Sequence, residues 1–254
     1  MINKILILIW FLLRPKYYLH LISLIKRRFL FNYDTVENRQ KAHKWAASKA
    51  IDYREALEKL NIKGDLIGLD DDTILNSKKL EERSSIMMGG AGHIHLLFDC
   101  VRLLKSEKVV ETGVAYGWSS LAILKALSHG DRGKLYSVDM PYPRKNNEKY
   151  VGIVVPDYLK KNWILLREPD RPGIINALNK AGGNIDLCHY DSDKSWWGRH
   201  YAYPILWKSL KTGGLFISDD IQDNLYFSEF VKNKSLMFAV VEFKGKFVGL
   251  IRKL

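Results

Sequence analysis

The sequence predicts an α/β fold: a mostly parallel sheet wrapped by helices, ending in an antiparallel hairpin and preceded by a helical N-terminal appendage. Three observations carry this. From about residue 84, short aliphatic runs alternate with helical segments, the pattern of a parallel sheet covered on both faces. Residues 237–243 and 246–252, MFAVVEF and KFVGLIR, flank Lys244-Gly245 and read as a hairpin. The first residues have a different character, two apolar runs studded with cations.

Those runs are ILILIWFLL (5–13) and YYLHLISLI (17–25), separated by Arg14-Pro15-Lys16 and followed by Lys26-Arg27-Arg28. Each has nine residues, against roughly 20 for a spanning helix. No small-x-small cleavage site follows the first run. A broken hairpin or a pair of interfacial helices fits, with Trp10, Tyr17 and Tyr18 at headgroup depth and the cations facing anionic lipid. Packing on the core, or forming a homodimer, is the alternative use of the same helices. Nine cations and two acids lie in the first 44 residues, which accounts for seven of the chain's twelve net positive charges. The main domain is therefore not a strongly basic nucleic-acid binder.

The expected organisation is a membrane-associating segment (1–45), a helical and linker segment (46–83), and a main domain (84–254). Residues 36–60 have helical composition, and Asp70-Asp71-Asp72 reads as a solvated turn. In the main domain the expected order is a helix near 93–104, a strand over 108–111, a glycine turn into a helix ending near 129, and a strand over 135–139. An extended segment (162–167), a helix (173–181), a strand (185–189) and a helix (200–211) follow. A strand (215–218), a helix (224–233) and the hairpin complete it. Cys100 and Cys188, the two cysteines, exclude a disulfide framework or cysteine-rich zinc site and suit a reducing compartment.

The stretch VVETGVAYGWSS (109–120) selects a ligand class. A buried strand ends at Glu111, Gly113 and Gly117 permit a tight turn and close backbone approach, and a helix starts near Trp118–Ser119, where its amides, assisted by the Ser119 and Ser120 hydroxyls, can bind an anion. The pattern is neither G-x-G-x-x-G nor a P-loop. An acid before the turn suits an ammonium group, and Asp139, ending the next strand, suits a ribose diol. An amino acid joined to a nucleoside is S-adenosylmethionine.

At these residues the chain resembles class I methyltransferases, and ETGVAYGWS (111–119) resembles the cofactor turn of the catechol O-methyltransferase-like group. The resemblance covers about 84–254. It implies a Rossmann-like seven-stranded sheet with a reversed final strand, and cofactor contacts at Gly113, Ser119 and Asp139.

Ligands of open α/β sheets bind outside the carboxyl ends of the strands. Asp191, in HYDSDKSWWGR (189–199), and Asp219-Asp220 follow two such strand ends. Three carboxylates suit a hard divalent cation such as Mg²⁺. The metal-dependent O-methyltransferases are similar here, and LKTGGLFISDD (210–220) matches their L-x-x-G-G-x-x-x-x-D-D run, so the resemblance implies metal ligation by Asp191, Asp219 and Asp220. A bound metal acidifies the acceptor hydroxyl, and the resemblance offers Lys194 or Asp193 as base. The other readings stay open: Asp219-Asp220 as a helix cap, Lys194 as a counter-ion of Asp193, His189 as a packed residue, Trp196, Trp197 and Tyr201 as acceptor walls or helix packing, and Arg199 as an acceptor clamp or a solvated cation.

The expected activity is metal-assisted, S-adenosylmethionine-dependent O-methylation of a sugar, glycan or small molecule by a cytoplasmic protein at the inner membrane face. A non-catalytic cofactor-binding scaffold at the membrane and a small-phenol O-methyltransferase are the rivals. A redox hydroxylase lacks its two-histidine, one-carboxylate set, and base amino-methylation lacks its Pro-Pro-aromatic motif.

Overall fold

The computed structural model of the chain describes residues 2–30, 33–130, 133–143 and 147–254. Three helices come first, α1 (Ile2–Leu12), α2 (Tyr18–Leu30) and α3 (Val36–Lys49), then β1 (Ala50–Ile51), α4 (Tyr53–Lys59), α5 (Asp71–Glu81) and α6 (Ile94–Leu103). The alternating part is β2 (Lys108–Thr112), α7 (Trp118–Leu127), β3 (Lys134–Val138), α8 (Asp157–Lys160), β4 (Trp163–Leu166), α9 (Asp170–Ala181), β5 (Ile185–Tyr190), α10 (Trp196–Ser209), β6 (Leu210–Ser218) and α11 (Tyr226–Asn233). The hairpin strands β7 (Phe238–Phe243) and β8 (Lys246–Arg252) close the chain.

The described residues form one eight-stranded sheet in the order β1-β7-β8-β6-β5-β2-β3-β4. β8 is antiparallel to both neighbours and the remaining pairs are parallel. Neighbouring residues of each buried strand serve opposite faces. Val109 and Leu187 join Leu96, Leu121 and Leu124 on one face, while Val110 and Cys188 join Ile174, Tyr203 and Phe227 on the other.

The eighth strand is β1, within a stretch of helical composition. Asp52 accepts from the Arg54 amide at 2.8 Å and starts a new helix there. The two residues before it run extended and pair with Val240 and Val241, covering an otherwise open sheet edge. Asp70 does not lie in a free turn: it caps α5, accepting from the Thr73 amide at 2.8 Å, with Asp71 and Asp72 in the helix's favourable first turn. Helix α3 packs in the second face's core through Ala46.

One packing detail carries a prediction. A Cβ at Gly249, in β8, would lie 2.3–2.8 Å from three ring carbons of Phe227, which is fully buried. Gly249→Ala should therefore lower stability in urea or thermal unfolding by about 1–3 kcal/mol.

Candidate active site

β2 and β5 are neighbours in the sheet, although the chain visits β3 and β4 between them. The connections leave these two strands in opposite directions, which opens a crevice at their carboxyl ends. Gly113 ends β2 with φ +83, and a Cβ there would lie 2.5 Å from the Asp191 carbonyl oxygen. Glycine is thus needed for both conformation and closeness. Gly117, with φ +92, starts α7, and a Cβ there would meet Gly152 Cα at 2.9 Å. It shapes the turn without lining the crevice.

Two cavities meet at this point. The first, about 270 Å³, is bounded by Asp139, Asp170, Arg171, Trp197, Tyr201 and the inner side of α2. The second, about 470 Å³, is bounded by residues 89–92, Ser119, Lys194, Asp219, Asp220 and Lys246. Gly113, Tyr142, Asp191 and Ser192 line both.

Asp139 is almost fully buried at the end of β3. Its Oδ1 accepts from the Val114 amide at 3.1 Å and its Oδ2 from Arg167. Burial raises its carboxyl pKa, with Arg167 opposing. Asp139 faces the first cavity and the Ser119 hydroxyl the second, with the glycine cradle between them. This arrangement fits a nucleoside in the first cavity joined to an amino acid in the second.

Glu111 is not brought to either cavity. It is fully buried beneath the turn, where Ser120 and Ser137 donate to its Oε2 at 2.5 and 2.7 Å. The strand alternation that buries Val110 on one face turns Glu111 to the other, under α7, so it holds the turn's underside rather than a ligand ammonium. Its Oε1 lies 3.8 Å from His189 Nδ1, and His189 Nε2 lies 3.4 Å from Asp219 Oδ1. Burial alone would depress the His189 pKa, but Asp219 and Glu111 hold the imidazole protonated, raised to about 10.

The three acids expected to ligate a metal line one cavity but are not arranged around a common point. Lys194 Nζ lies 2.8 Å from Asp191 Oδ1 and donates to Asp220 Oδ2. Asp220 also pairs with Lys246 at 3.2 Å and accepts from Gln222, while Asp219 faces His189. No group of three or more His, Cys, Asp or Glu among the described residues is arranged to hold a metal ion. The physical reason is the Lys194 ammonium, which takes the place between two carboxylates that a divalent cation would need. The residues as arranged do not fit that cation.

The two expected bases are also occupied. Burial alone would lower the Lys194 pKa, but Asp191 and Asp220 raise it above the ordinary lysine value. Asp193 faces the first cavity. Its Oδ1 accepts from the Ser195 amide and hydroxyl at 3.1 and 2.7 Å and from Arg27 at 3.0 Å. Asp191 is different: burial and the charge of Asp219 push its carboxyl up to about 6, with Lys194 and His189 opposing. Its Oδ1 has no hydrogen-bond partner despite the near ammonium.

The aromatic residues separate. Trp197 and Tyr201 line the first cavity, whereas Trp196 packs on Tyr226 and donates to Glu229. Arg199 is neither solvated nor an acceptor clamp. It is fully buried and donates to the Asp219 and Asp220 carbonyls, at 3.1 and 2.7 Å. Sequence reasoning missed Arg167, Arg171 and Lys246. Arg167, directly after β4, was detectable from its strand-end position; the others needed the tertiary fold.

This edge-bound crevice, glycine turn and strand-end acid define a class I methyltransferase fold. Residues 110–221 match a family described as a methyltransferase domain. The structure is similar to the O-methyltransferase TomG of Streptomyces achromogenes, involved in tomaymycin synthesis and solved with S-adenosylmethionine, at 17% identity and TM-score 0.57, covering 74% of this chain and 93% of that one. It is similar to an O-methyltransferase of Bacillus cereus solved with S-adenosylhomocysteine (14%, TM-score 0.53, 74% and 94%). It is also similar to the Podospora anserina methyltransferase PaMTH1 (12%, TM-score 0.54, 87% and 97%). No curated protein matches the chain by sequence. Residues 110–221 thus resemble a methyltransferase domain, and the fold is the one seen in the S-adenosylmethionine-dependent O-methyltransferases.

Proposed function

We propose that the chain methylates a hydroxyl oxygen of a sugar or glycan, using S-adenosylmethionine. The observation that carries this is the meeting of the two cavities at Asp191, with the nucleoside-type cavity on one side and Lys194, Asp219 and Asp220 on the other. Bound S-adenosylmethionine supplies an electrophilic methyl group. Asp139 holds the ribose side, and Ser119 with the first amides of α7 holds the carboxylate.

Asp191 acts as the base that receives the acceptor's proton. Its pKa of about 6 lies near working pH, where general-base catalysis is effective. The Lys194 ammonium, fixed by Asp220, stabilises the developing oxyanion, a role the notional metal would otherwise fill. No step here uses a divalent cation. Arg199 positions the Asp219-Asp220 backbone and also donates to Asn224 Oδ1. The acceptor end is walled by His93, Lys244, Lys246 and the acids, groups that hydrogen-bond a polyhydroxylated acceptor. An address at a membrane surface, through residues 1–30, goes with this reading and suits a lipid-linked glycan.

Methyl-labelled S-adenosylmethionine offered with sugar glycosides, oligosaccharides and catechol tests it. Label is expected on the carbohydrate oxygens. Label on catechol alone would reject the glycan, and label on none would favour a scaffold.

A further inference from the structure

We propose that α2 is a lipid-docked roof over the nucleoside end of the cleft, so that an anionic membrane surface and S-adenosylmethionine each strengthen the other's binding. The inference rests on the reading that this cleft holds S-adenosylmethionine.

Helix α2 has two opposed faces. His20, Ser23, Leu24 and Arg27 line the first cavity, a spacing that places them on one side of a helix. Tyr18, Ile22, Ile25 and Phe29 recur at helical spacing on the other side, and all four are exposed, Phe29 by 78% and Ile25 by 49%. Lys26 and Arg28, also exposed, flank this apolar stripe on its two sides.

The inner face is tied down by directed bonds. Arg171 Nε and Trp197 Nε1 both donate to the Ser23 hydroxyl, at 3.1 and 3.2 Å. Arg27 donates to Asp193 at 3.0 Å, two residues from Asp191. Arg171 itself stacks over Trp197 and Tyr201, 5.3 and 4.2 Å from the ring centres. Residues that close the cavity are therefore the same ones that seat the helix.

The outer face has a chemistry of its own. Helix α1, bent from α2 by 110°, adds exposed Ile5, Leu8 and Leu12, and Leu13 follows directly after it. Neither helix is long and apolar enough to cross a membrane. No acid occurs before Asp34, while Arg14, Lys16, Lys26, Arg27 and Arg28 are all cationic. A short, one-sided apolar surface rimmed by cations matches the boundary of an anionic bilayer. A ligand on one face of an ordered helix and a lipid surface on the other share the work of ordering it, so their effects are reciprocal.

Calorimetric titration of S-adenosylmethionine into the full chain, alone and with vesicles of phosphatidylglycerol or phosphatidylcholine, tests this. Phosphatidylglycerol vesicles are expected to tighten Kd about fivefold or more, the lower end of ordinary coupling between sites. The double variant Ile22→Asp, Ile25→Asp should bind the cofactor as before in solution and lose the vesicle effect. Arg27→Ala should still sediment with vesicles and lose the gain in cofactor affinity. An unchanged Kd on vesicles that bind the chain, or no vesicle binding, would overturn the coupling while leaving the cleft's ligand intact. Equal tightening by phosphatidylcholine would overturn the choice of an anionic surface. Absence of cofactor binding under every condition would overturn the cleft reading itself, and this proposal with it.

Discussion

Gly113→Ala should weaken S-adenosylmethionine binding by about a hundredfold or more, measured by calorimetry. Two effects add. Gly113 has φ +83, and a non-glycine residue held in such a region costs on the order of 1–3 kcal/mol. The new methyl would also sit 2.5 Å from the Asp191 carbonyl oxygen and 2.8 Å from its carbon. These are main-chain atoms of the neighbouring strand end and have no rotamer to yield. The strand end itself must shift, and with it the carboxylate that lines both cavities. Two kcal/mol or more is about thirtyfold, and the displaced Asp191 adds the rest. Gly130→Ala is the control, since the nearest atom to its Cβ would be Leu127 O at 3.8 Å. Equal binding by both variants would remove Gly113 from the cofactor cradle.

Lys194→Met should lower kcat by about 10²- to 10³-fold, the usual effect of deleting one oxyanion-stabilising donor. The side chain keeps its bulk and loses its charge. Asp191 and Asp220 are then left facing each other with Lys246, which is mostly exposed, as the remaining cation. The unaltered chain should keep its activity in excess chelator, because Lys194 stands where a divalent cation would bridge those carboxylates. Full loss of activity in chelator would overturn that role and restore the metal.

The pH profile provides a second readout. Asp191 is raised to about 6 by burial and by Asp219, so its basic form, the one that accepts a proton, is gained as pH rises through about 6. Lys194 is held above the ordinary lysine value by Asp191 and Asp220. Activity should therefore climb near pH 6 and show no fall at about pH 10.4, where a free lysine discharges. Rising activity that follows lysine discharge instead would make Lys194 the base.

Much of the fold is legible from local pattern. The strands after residue 84 are short aliphatic runs between turn signals, and their structural boundaries fall within a few residues of those expected. The hairpin declares itself through Lys244-Gly245. β1 does not, because two residues carry no periodicity and their extension answers to the edge of β7. The site is legible at a coarser grain. Strand-end position alone brings Asp139, Asp191, Asp219 and Asp220 to one edge. Glu111 fails because its neighbours Ser120 and Ser137 lie 9 and 26 residues away and claim its carboxylate.

Residue order alone settles which acids reach the cofactor edge, because strand direction and topology place every strand's carboxyl end on the same side. Folding decides what each acid faces there. Lys194 reaches Asp220 across 26 residues, and Arg27 reaches Asp193 across 166. Such pairings depend on the arrangement of several elements at once, and no local spacing encodes them. That is why three strand-end acids could be read as a cluster awaiting a metal, while only the packed chain shows an ammonium between two of them and a helix with an exposed apolar face roofing the cavity beside them.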